Sequence, residues 1–293
     1  MQQLRGCTAV VTGAASGIGR ALAERFAAEG MQVVLADIEA DALDQAAQAL
    51  EDRGATVLAV RTDVASRSSV DELAARTAEA FGPPNVLCNN AGVSGTFGPI
   101  WEATDRDWEW VLGVNLMGVV HGIQSFLPAM IDAGHEGHVV NTSSVLGLST
   151  GGGSIYSVTK HAVTRLTEGL WHDLKAAGIP IGVSVLCPGL IATRIVSAGR
   201  NRPEHLRNPD TQAEAEAAER MKLAEQYFLS SGMPPSEVAD MVVDAIGSQR
   251  FYILTHPEMI EGMVTARTDG ILSGAPGEPD PGASLLERVQ RGR

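Results

Sequence analysis

Tyr156 and Lys160 stand four residues apart at the head of a long helical pattern, in Tyr156-Ser157-Val158-Thr159-Lys160. That spacing puts a phenol and an ammonium on one helical face, a turn apart. A phenol ionises near pH ~10 and is a poor base at neutrality. A neighbouring ammonium favours the phenolate and draws that value down. Upstream, Val139-Val140-Asn141-Thr142-Ser143-Ser144 reads as a strand ending in hydroxyls. A serine there can polarise a substrate oxygen. Together these groups suit proton transfer at an alcohol or carbonyl oxygen. A Tyr–Lys pair alone is also common on solvated helices, so the surrounding elements decide its meaning.

The first of those elements is a glycine turn. Gly13, Gly17 and Gly19 sit in Thr12-Gly13-Ala14-Ala15-Ser16-Gly17-Ile18-Gly19, directly behind the apolar run Cys7 to Val11. A helical pattern follows at once, with Leu22, Phe26 and Ala27 on one side and Arg20, Glu24 and Glu29 on the other. Strand, glycine turn and helix present backbone N–H groups and a positive helix end to a pyrophosphate. A second strand, Met31 to Ala36, stops at Asp37, 24 positions after Gly13 (37 − 13). That is close to the spacing of an acid that accepts hydrogen bonds from the adenosine ribose. Such a carboxylate repels a 2′-phosphate. No Lys or Arg occupies positions 14 to 16 and Ile38 follows the acid, so the pattern favours NAD over NADP.

Strand-like runs at 7–12, 31–36, 56–61, 86–89, 138–142, 181–187 and 251–255 alternate with helical ones at 17–29, 40–53, 67–81, 105–133, 156–177 and 236–247. This predicts an α/β fold with a parallel sheet and helices on both faces. Residues 1–273 form one catalytic domain, interrupted at 193–235 by an insertion with a helical run at 211–229. The Pro/Gly-rich stretch 274–293 reads as a tail. The length of 293 residues suffices for one such domain with a full core. The net charge of −13 argues against nucleic-acid or anionic-membrane partners. Cys7, Cys88 and Cys187 are scattered and read as small hydrophobes. No basic–apolar leader and no apolar stretch of about 18 residues is apparent, which points to the cytoplasm.

The glycine turn, Asn89-Asn90-Ala91-Gly92, Asn115, Ser144, the Tyr156/Lys160 pair and Pro188-Gly189 occur in that order. This resembles the classical short-chain dehydrogenase/reductase family over about residues 5–255. The resemblance implies a single Rossmann-type, doubly wound domain with a seven-stranded parallel sheet. It also implies hydride exchange between NAD and a secondary alcohol or its ketone. By the same resemblance Tyr156 is the general acid/base, and Lys160 lowers its pKa and binds the nicotinamide ribose. Ser144 polarises the substrate oxygen; Ser143 is the alternative, since it has the commoner spacing to Tyr156. Asn115 holds a water in a proton relay, or else is a satisfied polar group in an apolar helix. Ser16 and Ile18 line the pyrophosphate turn, Asp63 and Val64 flank adenine, and Asn90, Ala91 and Gly92 form a floor. Pro188, Gly189, Ile191 and Thr193 hold the carboxamide. The family is often oligomeric, so a homo-oligomer, possibly a tetramer, is implied.

The substrate side falls to Ser94–Trp101, to Val145–Ile155 with its Gly151-Gly152-Gly153, and to the insertion, where Ala217, Met221, Ala224 and Phe228 fall at helical spacing. This suggests a lid over a bulky, apolar or aromatic alcohol. Gly98-Pro99-Ile100 and the Pro257-Glu258 region loosely resemble members acting on aryl-substituted alcohols. His135-Glu136-Gly137-His138 lacks metalloprotease spacing, and no metal is assigned. Thr104 and Asp107 read as an N-cap and its partner; Trp101, Trp108 and Trp110 read as packing. The rival functions are a catalytically silent NAD sensor, a methyltransferase with no need of Tyr156 and Lys160, and an epimerase whose sugar domain has no counterpart here.

Overall fold

Apolar strands fed by right-handed helical crossovers assemble into one sheet. A computed structural model of the chain describes residues 1, 3–95, 99–150, 154–209 and 212–276, without the side chains of 212–218 and 220. Strands β1 (Thr8–Thr12), β2 (Gln32–Asp37), β3 (Val57–Arg61), β4 (Val86–Asn89), β5 (Gly137–Thr142), β6 (Ile181–Cys187) and β7 (Tyr252–Leu254) pair in the order β3-β2-β1-β4-β5-β6-β7. Every pair is parallel. The chain runs outward from β1 to β3, then returns to β4 on the other side of β1. The carboxyl ends of β1 and β4 therefore diverge and open a crevice there.

Side chains alternate across the sheet. Ala9 and Val11 face one apolar layer with Leu22 and Phe26 of α1 (Gly17–Ala28) and Val238, Val242 and Ile246 of α8 (Pro235–Ser248). Val10 and Leu87 face the other, with Leu73 of α3 (Arg67–Phe81) and Phe126 and Met130 of α5 (Gly118–Ala133). The edge helix α2 (Ala40–Glu51) packs Leu43, Ala46 and Leu50 onto the first layer. Burial of each such Leu, Val or Phe contributes about 1.5–3 kcal/mol.

The helical run 105–133 is divided. α4 (Asp105–Leu112) starts on a capping box between Thr104 and Asp107, and a π-helical turn, Gly113–Met117, joins it to α5. An extra residue in a turn re-aims side chains and is frequent at functional sites; here it carries Asn115. Contrary to the sequence reading, this run is long and apolar enough to span a bilayer by composition, yet half of its apolar window is buried within the fold. The tryptophans split too. Trp110 is buried and Trp108 packs beside it, whereas Trp101 is 82% exposed and packs on nothing in that cluster.

The insertion leaves β6 through a narrow neck, where Ile191 bridges Met233. It contains 3₁₀ turns at Ile195–Asn201 and Glu204–Leu206 and then α7 (Gln212–Ser231). α6 (Ile155–Ala176) opens on a Ser154/Ser157 capping box that fixes its first turn. The last helix, α9 (Pro257–Ser273), follows β7 and has no counterpart in the sequence reading. Gly98, the 151–153 glycines and residues 277–293 of the tail lie outside the described residues.

Candidate active site

The glycine turn makes a cradle that side chains would fill. Gly13 (φ 69°) and Gly17 (φ 54°) occupy the left-handed region. A Cβ on Gly13 would stand 2.9 Å from Ala91 Cα, and one on Gly17 would stand 3.0 Å from Thr193 Cγ2. Ser16 sits at the N-cap of α1 but makes no side-chain cap, so the first-turn N–H groups remain open to an anion. Gly19 is different: it faces away from the cleft, pressed on the Gly13 carbonyl, and serves close packing of helix on turn.

Asp37 ends β2 beside this turn. Its Oδ2 accepts from Ala15 N at 2.9 Å and its Oδ1 from Glu39 N at 3.0 Å. Burial pushes its carboxyl above the usual range, against those two backbone donors. On β4's side, Thr12 Oγ1 accepts from Asn90 N at 2.9 Å and Ala91 N at 3.1 Å, while Asn90 Nδ2 donates to Thr12 O at 2.9 Å. These bonds fix the floor at Asn90, Ala91 and Gly92. Asp63 Oδ1 accepts from Ala65 N, and Val64 packs on Gly118. Gly189 N donates to Thr255 Oγ1 at 2.9 Å, and a Cβ there would meet His256 Nδ1 at 2.6 Å.

Ser144, Tyr156 and Lys160 converge opposite this floor. Lys160 Nζ lies 5.5 Å from the Tyr156 ring centroid and donates to Thr142 O at 2.8 Å. Burial lowers the Lys160 pKa to about 8. Burial also raises the Tyr156 phenol, and a hydrogen bond with Ser144 acts in the opposite sense. The net direction for the phenol is up, not down as the sequence reading implies. Desolvation penalises the charged form of each group.

The two serines face opposite ways. Ser143 Oγ donates to Lys160 O at 2.8 Å and meets Thr164 Oγ1 at 2.7 Å, turned into α6. Ser144 Oγ accepts from Leu146 N at 3.2 Å and faces Tyr156. Asn115 lies behind the cleft wall: its Oδ1 accepts from Val93 N at 2.8 Å, and its Nδ2 donates to Val93 O and Thr159 Oγ1. Its side chain is fully satisfied and ties the loop after β4 to α6.

One cleft of about 1560 Å³ is lined by all the predicted site residues except Gly19 and Asn115, with Pro188, Ile191, Thr193 and Ile18 in its walls. It continues between Trp110, Leu206, Phe228, Met259 and Met263. Of the predicted lid stripe, Phe228 borders the cleft and Ala224 is buried. Thr12 and Thr142 lie inside motifs but were given no role, and Glu39 and the cleft-lining residues of α9 were not singled out; their roles arise from pairing across the fold. The apparent metal motif is structural: His138 Nε2 bonds Ser184 Oγ at 2.8 Å inside β5.

Comparison with known proteins gives the family. A family model described as short chain dehydrogenase matches residues 7–204. A CLA biosynthesis dehydrogenase/reductase of Lactiplantibacillus plantarum is 38% identical over 250 residues, 85% of this chain and 87% of the relative. A C alpha-dehydrogenase of a Sphingobium strain is 34% identical over 283 residues, 96% of this chain and 90% of the relative. The crystal structure of a short chain dehydrogenase/reductase from Burkholderia phymatum in complex with NAD superposes with a TM-score of 0.89 at 44% identity, covering 96% of this chain and 99% of that one.

Proposed function

Because the chain belongs to the short-chain dehydrogenase family, we propose that it is an NAD-dependent oxidoreductase interconverting a bulky secondary alcohol and its ketone. The observation that carries this reading is the meeting of Ser144, Tyr156 and Lys160 in the cleft that the glycine cradle opens. The cradle fits a dinucleotide. Gly13, Ser16, Gly17 and Ile18 would hold the pyrophosphate, and Asp37 the adenosine ribose. Asp63 and Val64 would border adenine, Asn90, Ala91 and Gly92 would floor the ring, and Pro188, Gly189, Ile191 and Thr193 would take its carboxamide. Bound NAD supplies the hydride acceptor.

Tyr156 Oη takes the hydroxyl proton of the alcohol and returns it in the reductive direction. Ser144 Oγ donates a hydrogen bond to the same oxygen and orients it. Lys160 stabilises the phenolate while Thr142 O holds its ammonium in place. Asn115 acts as a positioning residue through Val93 and Thr159. Asp37 supports NAD over NADP, and Arg200, a cation of the same cleft, is paired with Glu39 at 2.7 Å. The insertion 193–235 serves as the substrate lid, and the protein acts in the cytoplasm as a homo-oligomer. The test is a panel of bulky secondary alcohols, scored by NADH absorbance with NAD and NADP in parallel. Turnover of at least one alcohol with NAD supports the reading. Cofactor binding with no turnover across the panel favours the silent sensor instead.

A further inference from the structure

Arg267 is a partly buried cation in the cleft with no acidic partner among the described residues. Its Nη1 donates to His161 Nε2 at 2.6 Å and to Leu148 O at 3.4 Å. Those are its only hydrogen bonds among the described residues. The Nε and Nη2 edge, the side of the fork that binds a carboxylate bidentately, is thus uncommitted among the described residues. His161 fixes this arrangement. Its Nδ1–H donates to Ser157 O at 2.9 Å, which leaves the Nε2 lone pair to accept from the guanidinium. Among the cleft's other cations, Arg200 pairs with Glu39 and Lys160 bonds Thr142 O, while Arg194 acts on the Glu39 carboxyl through its charge alone among the described residues.

The surroundings of Arg267 are apolar. Met259, Met263 and Arg267 recur every four residues along α9, so they form one stripe, and all three line the cleft. Met263 packs on Val145, beside Leu146 and Leu148 in the loop that follows Ser144. His161 lies five residues after Tyr156 on the same helix, about 7.5 Å further along its axis. A ligand with its carbinol at Tyr156 and an anionic group at Arg267 would lay an apolar body along the methionines. The chain as a whole carries a charge of −13 and repels anions, so a guanidinium with no acidic partner among the described residues is a local exception.

We propose that Arg267 binds the carboxylate of the substrate, which is an amphipathic hydroxy acid: an apolar body bearing a secondary alcohol, with a carboxylate beyond it. This rests on the oxidoreductase reading for the alcohol but not for the acid, and the two are tested separately. Octanoate and octanamide, which share one apolar chain, serve as dead-end ligands titrated into the enzyme–NADH complex and read by NADH fluorescence. Wild type binds octanoate about ten- to a hundredfold tighter than octanamide. Arg267→Met abolishes the difference by weakening octanoate alone, and Arg267→Lys restores part of it. NADH affinity, measured for each variant, checks that the fold is intact. Equal affinities in wild type, or a preference that survives in Arg267→Met, overturns the proposal. Should Arg267→Met lose NADH binding, Arg267→Lys decides: a reduced but persistent preference supports the proposal, and an undiminished one overturns it. Turnover across the alcohol panel reports on the alcohol chemistry independently: oxidation of none of its members, with the octanoate preference intact, overturns the oxidoreductase reading and spares the anion site.

Discussion

At the residue scale the site is a contest between burial and charge. Tyr156 and Lys160 are each pushed by desolvation toward their neutral forms; the Ser144 hydroxyl works the other way on the phenol and Cys187 on the ammonium. Asp37 is a simpler case, a carboxylate held by two backbone donors with lone pairs left for a ribose. Asp37→Ala should weaken NAD binding by about ten- to a hundredfold, the loss of charge-assisted hydrogen bonds, and should relax discrimination against NADP. An unchanged ratio of NAD to NADP affinity, measured by fluorescence titration, would contradict its assignment. His138 gives a pH prediction. Burial lowers its pKa from 6.5 to about 4, so the unfolded chain takes up this proton at higher pH than the folded one. Stability contributed by neutral His138 is complete above pH about 6.5 and is lost as pH falls toward about 4, by up to about 3 kcal/mol. Urea midpoints near pH ~7.5 and pH ~5 should therefore differ less in His138→Gln than in wild type; an equal drop in both would refute this.

At the element scale the insertion is anchored on both sides of the cleft by two arginines of one short segment. Arg200 reaches Glu39 at the start of α2 at 2.7 Å, where Asn201 adds a bond at 2.8 Å. Arg202 reaches Asp107 of α4 at 2.7 Å, with side chains only 8% and 3% exposed, and lies over the Trp110 ring. Asn208 donates to the same carboxylate, and the Asp107 carboxyl is held below its usual range by the Thr104 cap and by Arg202 despite its burial. The second anchor thus sets the wall formed by Trp110 and Leu206. Arg202→Ala leaves Asp107 buried without its cation and should cost about 3–5 kcal/mol. It should also raise the KM for the alcohol more than that for NAD. Thermal melts and steady-state kinetics check both, and an equal rise in the two KM values would show that the anchor is merely structural.

At the scale of the whole molecule the sheet was legible because its inner strands are buried on both faces and centre on short apolar runs. Val86–Asn89 and Ile181–Cys187 emerge from the amino-acid order within a residue or two. The cleft followed from topology, since the glycine turn and the Asn90 floor must meet where β1 and β4 diverge. What the order of residues hid was long-range pairing. α9 escaped because its apolar residues are divided between two faces: Ile260 and Met263 are buried while Val264, Ile271 and Leu272 are exposed. Arg267 escaped with it, and nothing local links Arg202 to Asp107 or Arg200 to Glu39. The phenol's direction of shift was also hidden, for burial is a property of the assembled fold. That fold exists, on this account, to set the Tyr156 hydroxyl beside a substrate oxygen and a dinucleotide's reactive ring. The most direct measurement is Tyr156→Phe, with turnover and NAD affinity determined on the same sample. Turnover should fall by about 10²–10⁴-fold, the usual contribution of a positioned acid/base, with NAD affinity retained. Turnover near that of wild type would contradict the account at its centre.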